Sequence, residues 1–234
     1  FNEPRLRGGP ENPARQRAGD AYLAVRRQQL RHRAEGQAGV LGAVPPGSVT
    51  GADGFVGKNL QLCLRERKEV EVVTFTRADS VADLTHRLDG VDVVFHLAGV
   101  NRPQDPSEFV VGNAELTQEL SRAVRNASRP MRVLLSSSTQ ARLDNFYGSS
   151  KRQAEQAVQA LAGVNGTSVH VFRLPNVFGK WCKPNYNSAV ATFCHNITRD
   201  LPVEINDPNA NVTLIYVDDV LDRFIDLMSQ HAAK

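Results

Sequence analysis

Residues 49–57 read VTGADGFVG, a short β-branched run that leads into three regularly spaced glycines. In a dinucleotide-binding turn the first glycine permits the tight strand-to-helix turn, the second lets a pyrophosphate approach the backbone, and the third lets the helix lie against the sheet. The helix that opens here presents free backbone N–H groups and the positive end of its dipole, which suits a diphosphate. The residues that we expect to bind the cofactor at this turn are Gly51, Gly54, Phe55, Val56 and Gly57.

Strand and helix signals alternate along the chain after this turn. Near-continuous apolar strands occupy residues 70–76, 91–97, 131–136 and 168–174, and helical patterns occupy about 107–126 and 147–161. Strands that are buried on both faces and separated by helices predict a parallel, doubly wound α/β sheet of Rossmann type.

The chain that enters the turn is unusual, because Pro45-Pro46-Gly47 leaves only Ser48–Thr50 for a strand that should be central. Proline is poorly tolerated in a central strand, since it cannot donate to the ladder. Either the first strand is very short, or the residues upstream of Ser48 are not those with which the domain evolved; we favour the second interpretation. We accordingly predict two parts: residues 1–47, an Arg-rich arm that is disordered or non-native, and residues 48–234, a dinucleotide-binding domain.

The composition is that of an ordinary globular protein: 234 residues, 41% hydrophobic and 23% charged, which excludes fibrous repeats and wholesale disorder. No apolar run approaches the roughly 18 residues that a membrane span requires, so we expect no membrane partner. The net charge of +3 is unevenly placed, because residues 1–47 hold eight Arg, no Lys and four acidic residues and the rest sums to −1. The near-neutral remainder gives no indication of a nucleic-acid partner.

Three cysteines, Cys63, Cys182 and Cys194, are too few for a disulfide framework in a chain of this length. They also lack the paired C-x-x-C spacing of a zinc site, so we expect no metal. Reduced thiols and the absence of a visible signal peptide predict a cytoplasmic location.

The end of the second predicted strand indicates which cofactor is used. An NAD enzyme usually offers an acid to the ribose hydroxyls at this point, whereas this sequence offers Thr76-Arg77. A guanidinium matches a 2′-phosphate through its charge and through paired hydrogen bonds. We therefore predict NADPH rather than NADH, with Arg77 at the 2′-phosphate; the alternative is that Arg77 simply faces solvent.

The stretch YGSSK, residues 147–151, begins a helix shortly after three serines that end at Ser138. The i, i+4 spacing places the Tyr147 phenol and the Lys151 ammonium on one helical face. An ammonium about 4 Å away at an effective dielectric constant near 20 is worth roughly 4 kcal/mol, about the amount needed to lower a tyrosine pKa from about 10 to about 7. We therefore predict that Lys151, aided by a positive nicotinamide ring, makes Tyr147 a usable acid or base, and that Ser138 donates a hydrogen bond to the reacting oxygen.

These motifs together resemble the extended short-chain dehydrogenase/reductase superfamily, of the NAD-dependent epimerase/dehydratase type. The further marks, in chain order, are HLAG at His96–Gly99, Asn113, RLPNVFG at Arg173–Gly179 and YVDDV at Tyr216–Val220. Within it, residues 97–103 and 179–194 resemble the bacterial capsular-polysaccharide reductases of the UDP-N-acetyl-L-fucosamine pathway. The resemblance covers about residues 49–229.

The resemblance implies residue roles as well as a fold. It implies that Ser138, Tyr147 and Lys151 are the catalytic set, with Leu97, Ala98, Gly99, Lys151 and Pro175 at the cofactor. It places Asn176 at the substrate diphosphate, while Lys183 and Asn187 are our choices for further substrate contacts. It also implies that Asn113 braces Lys151 through water. We interpret His96 as a packing and hydrogen-bonding group.

The subgroup implies NADPH-dependent reduction of a C4 keto group on a UDP-linked deoxy amino sugar for a surface polysaccharide. We expect a truncated substrate-binding lobe, because the chain stops soon after YVDDV; a cupin domain would follow in the relatives, and a homodimer is among the expected assemblies. Two alternatives stay open: a nucleotide-sugar epimerase or dehydratase that recycles its NAD(P), and a truncated dinucleotide-binding module without activity.

Overall fold

Five parallel strands form the main sheet of the computed structural model, which describes residues 46–67, 70–205 and 207–230. The strands are β1 Gly47–Thr50, β2 Val72–Phe75, β3 Val93–His96, β4 Arg132–Ser138 and β5 Ser168–Leu174. Their spatial order is β2-β1-β3-β4-β5. The order reverses between β1 and β3, and such a switch point opens a crevice at the carboxyl ends of the strands. The predicted doubly wound parallel sheet is therefore confirmed.

Helices cover both faces of this sheet. They are α1 Phe55–Arg65, α2 Leu84–Arg87, α3 Ser107–Phe109, α4 Leu116–Asn126, α5 Phe146–Gln159, α6 Ala189–Ile197 and α7 Val217–Ser229. A π-helical turn, Val110–Glu115, separates α3 from α4 and interrupts the single helix predicted over residues 107–126. In the part of the chain that the structure describes, no helix is long and apolar enough to cross a membrane.

The core has two layers because adjacent strand residues point to opposite faces of the sheet. Val94 on β3 packs with α2, α4 and α5, in a cluster that includes Leu120 and Val158. Its neighbours Val93 and Phe95 pack on the other face with α1 and α7. This double burial explains why the strands read as near-continuous apolar runs.

The first strand is very short, which was one of the two sequence-based alternatives. All four residues of β1 are buried, and β1 pairs with β2 on one side and β3 on the other. Pro46 precedes the strand, where its missing N–H is not needed, and its carbonyl accepts from the Asp92 and Val93 amides at 3.0 and 3.3 Å. Gly47, assigned by sequence to the arm, is thus the first residue of β1; the rest of the predicted arm, up to residue 45, lies outside the described residues.

A small second sheet follows the main one. It pairs β6, Asn176–Phe178, with β7, Leu214–Tyr216, in parallel. Both strands were missed in the sequence, since three residues are too few to show a periodic pattern. The sheet matters for function because it places Asn176 just beyond the carboxyl end of β5.

Candidate active site

One large cleft lies at the carboxyl ends of the parallel strands. Its volume is about 1790 Å³, well above the roughly 300–1,000 Å³ of an ordinary ligand pocket, so it has room for more than one ligand. The structure brings every predicted catalytic, cofactor-binding and substrate-binding residue to this cleft. Within the described ranges, no group of three or more His, Cys, Asp or Glu side chains is placed to hold a metal ion.

The glycine turn forms one end of the cleft. Gly51 has φ +68°, and a Cβ there would lie 2.6 Å from the Ala98 backbone nitrogen, so only glycine fits this approach of two loops. Gly54 is exposed at the N-terminus of α1, and no side chain caps the helix. Within the described residues, the N-cap supplies no side-chain acceptor to the first-turn N–H groups of α1, and the turn fits a diphosphate held by backbone donors.

Tyr147 and Lys151 meet at the middle of the cleft on α5, next to the end of β4. The Lys151 Nζ lies 5.8 Å from the centroid of the Tyr147 ring, and the Phe109 ring packs on the same tyrosine with centroids 5.4 Å apart. Asn145 begins the helix as its N-cap, accepting from the Gly148 amide at 2.7 Å. The Ser138 hydroxyl lies near enough to lower the pKa of the Tyr147 phenol, and all three predicted catalytic side chains line the cleft.

The electrostatics of Tyr147 differ from the sequence-based expectation. Burial raises the pKa of the Tyr147 hydroxyl, and the Ser138 hydrogen bond opposes this effect. Lys151, whose ammonium lies 5.8 Å from the centroid of the ring, does not produce the expected lowering. In the protein by itself, Tyr147 is therefore a protonated acid at neutral pH.

Lys151 is almost fully buried, with 6% of its surface exposed. Burial lowers the pKa of its ammonium to about 8, and the negative charge of Glu155 opposes this fall. The amine donates to the Ser136 carbonyl over a long 3.5 Å. A Cβ on Gly99 would lie 2.9 Å from Nζ, which shows how closely the loop after β3 approaches the ammonium. Lys151 is therefore mostly charged at neutral pH and loses its charge in mildly alkaline solution.

Asn113 fixes the same loop from the π-helical turn. It is buried; its Oδ1 accepts from the Val100 amide at 2.9 Å, and its Nδ2 donates to the Val100 carbonyl at 3.1 Å and to Ser150 Oγ at 3.0 Å. Asn113 therefore ties the loop after β3 to α5. Its role as a water-mediated brace on Lys151 stays a prediction.

His96 lies at the end of β3, beneath the cleft. It is 1% exposed, and its two ring nitrogens bond Thr50 Oγ1 at 2.6 Å and Thr117 Oγ1 at 2.8 Å. Burial lowers the pKa of His96 to about 3, so the ring is neutral. The interpretation of His96 as a packing and hydrogen-bonding group is confirmed.

The predicted substrate residues line the cleft, and a residue that the sequence did not indicate contacts two of the lining residues from outside. Asn176, Lys183 and Asn187 line the cleft. The missed residue is Arg102, whose Nε donates to Asn187 Oδ1 at 2.9 Å and whose guanidinium lies 5.4 Å from the centroid of the Tyr186 ring. The signal in the sequence was weak: Arg102 follows HLAG within the short stretch VNRP, and its partners lie about 85 residues further on.

Comparison with known proteins agrees with this geometry. Residues 48–234 match the model of the NAD dependent epimerase/dehydratase family. A curated relative from Pseudomonas aeruginosa, named UDP-2-acetamido-2,6-beta-L-arabino-hexul-4-ose reductase, is 57% identical over 180 residues, covering 77% of this chain and 48% of its own length.

Solved structures have the same fold. The capsular polysaccharide assembling protein CapF from Staphylococcus aureus superposes with a TM-score of 0.69 at 37% identity, covering 81% of this chain and 51% of that one. A UDP-glucuronic acid 4-epimerase from Bacillus cereus superposes with a TM-score of 0.70, covering 79% of this chain and 73% of that one; at 18% identity it supports the fold alone. The chain thus spans about half the length of the two more similar relatives. The switch-point crevice, the uncapped glycine turn and the family match over residues 48–234 lead to one conclusion: this chain belongs to the NAD dependent epimerase/dehydratase family.

Proposed function

We propose that this protein reduces the C4 keto group of a UDP-linked deoxy amino sugar with NADPH, in the biosynthesis of a surface polysaccharide. The observation that carries the proposal is the convergence of Ser138, Tyr147 and Lys151 on the cleft that the glycine turn enters. The names of the similar reductase and of the similar capsular protein support the choice of substrate class.

Three side chains of this chain take part in the reduction, and one of them, Tyr147, donates the proton. A bound reduced nicotinamide supplies the hydride for the keto carbon. Tyr147, protonated at neutral pH, donates its proton to the oxygen of the same carbonyl, so that the product is an alcohol. Ser138 donates a hydrogen bond to that oxygen as it gains negative charge, and the Lys151 ammonium stabilises the phenolate that Tyr147 leaves behind.

The preference for NADPH is supported by the environment of Arg77 at the cleft. The nearest acid along the chain, Asp79, accepts from the Thr76 amide at 2.7 Å and from Thr76 Oγ1 at 2.9 Å through one oxygen. Its other oxygen binds Arg87 Nη2 at 2.6 Å. Both oxygens of Asp79 are thus engaged within the protein, while Arg77 is exposed and lines the cleft.

Arg77→Ser is expected to weaken NADPH binding by about 10- to 100-fold and to leave NADH binding unchanged, since one or two charge-assisted hydrogen bonds to a phosphate are lost. Titrating both cofactors by nicotinamide fluorescence measures this. The matched control is Arg65→Ser, an exposed arginine outside the cleft, which should change neither affinity. Equal weakening of NADPH and NADH would contradict the assignment.

For the substrate, we propose that Asn176, Lys183 and Arg102 bind the UDP diphosphate. The support is that Asn176 and Lys183 line the cleft, while the Arg102 guanidinium is held at its rim by Asn187 and Tyr186. Many of the nucleotide-sugar epimerases that this chain resembles have an arginine in the strand before their YVDDV-like motif, whereas this chain reads Val212-Thr213-Leu214 there. A second cation is therefore needed, and Arg102 supplies it.

Net consumption of cofactor is the test that separates this proposal from its alternatives. The chain is mixed with NADPH and a UDP-linked 4-keto-6-deoxy-acetamido sugar, and NADPH absorbance and sugar products are followed together. One NADPH consumed per alcohol formed is the expected result. Product without net consumption would identify an epimerase that recycles its cofactor, and tight NADPH binding without any turnover would identify a module that binds the dinucleotide only.

The assembly and the location of the protein stay predictions. A homodimer and a cupin domain in the same polypeptide are implied by the family resemblance, and a cytoplasmic location agrees with the use of a reduced nicotinamide and a nucleotide sugar. Light scattering of the purified chain measures its mass in solution and so tests the predicted homodimer.

A further inference from the structure

A buried carboxylate lies one helical turn beyond Lys151 and has no part in the chemistry described above. Glu155 is 3% exposed, and residues four apart on an α-helix share a face. Ser137 Oγ donates to Glu155 Oε1 at 2.5 Å. Arg173 donates to the carboxylate through Nε at 2.9 and 3.2 Å and through Nη2 at 2.6 Å. Three donors from β4 and β5 therefore hold the carboxylate in one place.

The position of this carboxylate matters because Lys151 is also buried and lies one turn earlier on the same face of α5. A buried ammonium is costly unless a counter-charge or good hydrogen bonds compensate it. The hydrogen bond from Lys151 Nζ to the Ser136 carbonyl oxygen is long, at 3.5 Å, and compensates the buried charge only weakly. Burial lowers the pKa of Lys151, and the charge of Glu155 opposes this fall. Burial raises the pKa of the Glu155 carboxyl, but the hydrogen bonds from Arg173 and Ser137, together with the charges of Arg173 and Lys151, hold it below its usual range.

The other ionisable groups around Lys151 do not take over this role. On α5, the Tyr147 ring carries no charge at neutral pH, and from β3 the buried His96 is neutral because burial holds its pKa at about 3. From β5, Arg173 places a positive charge 2.6 Å from the Glu155 carboxylate. The π-helical turn contributes the uncharged Asn113. The remaining ionisable side chains on the elements packed against α5 lie at partly or fully exposed positions: Glu108, Glu115, Glu119, Arg122, Arg125, Arg132, Arg142 and His170.

Building on the reductase function proposed above, we propose that Glu155 is a positioning residue for catalysis: its carboxylate, fixed by Ser137 and Arg173, keeps the Lys151 ammonium charged and in place beside Tyr147. Arg173 has two opposing effects in this arrangement. It anchors the carboxylate, and its positive charge partly cancels the field that Glu155 exerts on Lys151.

Replacing Glu155 and replacing Arg173 are therefore expected to shift the pKa of Lys151 in opposite directions. An ion pair with only a structural role would not have this property. Glu155→Gln removes a negative charge near Lys151, so the ammonium loses its proton at lower pH. Arg173→Gln removes a positive charge and leaves the carboxylate, so the ammonium keeps its proton to higher pH. Both variants break the same salt bridge, and a role in packing alone predicts the same change for both.

The experiment is an NMR titration of the full chain labelled on lysine, which holds only six lysines; Lys151→Arg identifies the Lys151 signal. The expected result is a titration midpoint for Lys151 in Glu155→Gln that lies at least about one pH unit below that in Arg173→Gln, the size typical of a neighbouring charge. Coinciding or reversed midpoints would overturn the proposal. If Glu155→Gln does not fold, Arg173→Gln against the unaltered chain decides: a higher midpoint supports the role of Glu155, and an unchanged or lower one overturns it.

The pH dependence of turnover gives a second readout. The alkaline limb of the rate profile is expected to move to lower pH in Glu155→Gln and to higher pH in Arg173→Gln. Absence of turnover in the unaltered chain would count against the reductase function, while the lysine titration, which needs no substrate, would still decide the role of Glu155.

Discussion

Tyr147→Phe is expected to lower turnover by about 10²- to 10⁴-fold, the usual contribution of a positioned general acid. The affinity for NADPH should stay within about twofold of its original value. The substitution removes a single oxygen and keeps the ring that packs on Phe109 and lies beneath the Lys151 ammonium. The fold and the cofactor end of the cleft are therefore retained, and only the proton donor is lost.

Steady-state oxidation of NADPH in the presence of the keto sugar measures the loss, and fluorescence titration measures the affinity. The matched control is Tyr216→Phe, which deletes the same atom from a tyrosine on β7 that packs against Phe178 outside the cleft. Turnover in the control should be unchanged. Turnover preserved in Tyr147→Phe would show that another group supplies the proton.

Gly54→Val is expected to act on the cofactor affinity that Tyr147→Phe leaves unchanged. It should weaken NADPH binding by at least about 100-fold in a protein that still folds. Gly54 is exposed and has φ −72°, so a valine backbone is unstrained there. A Cβ would meet the Gly51 carbonyl at 3.1 Å, and the branched side chain would cover the first turn of α1. Loss of two hydrogen bonds to a charged diphosphate, about 1.5–3 kcal/mol each, gives a change of this size.

The comparison variant is Gly47→Ala, which changes the first residue of β1, the strand that leads into the glycine turn. A Cβ at Gly47 meets side chains of Phe95 and Met228 at the ordinary distances of 3.5 and 3.7 Å, so we expect it to leave NADPH affinity unchanged. Thermal unfolding checks that both variants are folded. Undiminished NADPH affinity in folded Gly54→Val would mean that the pyrophosphate does not lie on this turn.

The strands were predictable because each is buried on both faces and reads as an apolar run. Strand β5 agrees in both bounds, whereas β4 extends to Ser138 beyond the predicted end at residue 136, since its last residues are polar and carry no apolar signal. The short elements β6, β7 and α2 were missed. Their few residues show no period, and β6 is paired with a strand that lies far along the chain.

The site was predictable where its geometry is local. Spacing along one helix is enough to bring Tyr147 and Lys151 together, and the same spacing applied once more would have indicated Glu155. Spacing does not indicate burial, so it could not show that burial raises the pKa of Tyr147 in the protein without cofactor. Pairings between distant segments, such as Arg102 with Asn187, depend on the loops that close the cleft and leave no pattern in the sequence.

The π-helical turn at Val110–Glu115 has a consequence for how the sequence of this chain can be varied. A π turn accommodates a surplus residue compared with regular α-helix. Deleting one residue there would close the turn into regular α-helix, so that the flanking helical segments keep their faces while the residues of the turn itself change register. Asn113 would then leave the backbone of Val100, and the loop over the lysine would lose its anchor. Length in this segment is therefore under tighter constraint than composition, and a library of functional variants should contain many substitutions here but no single-residue deletions.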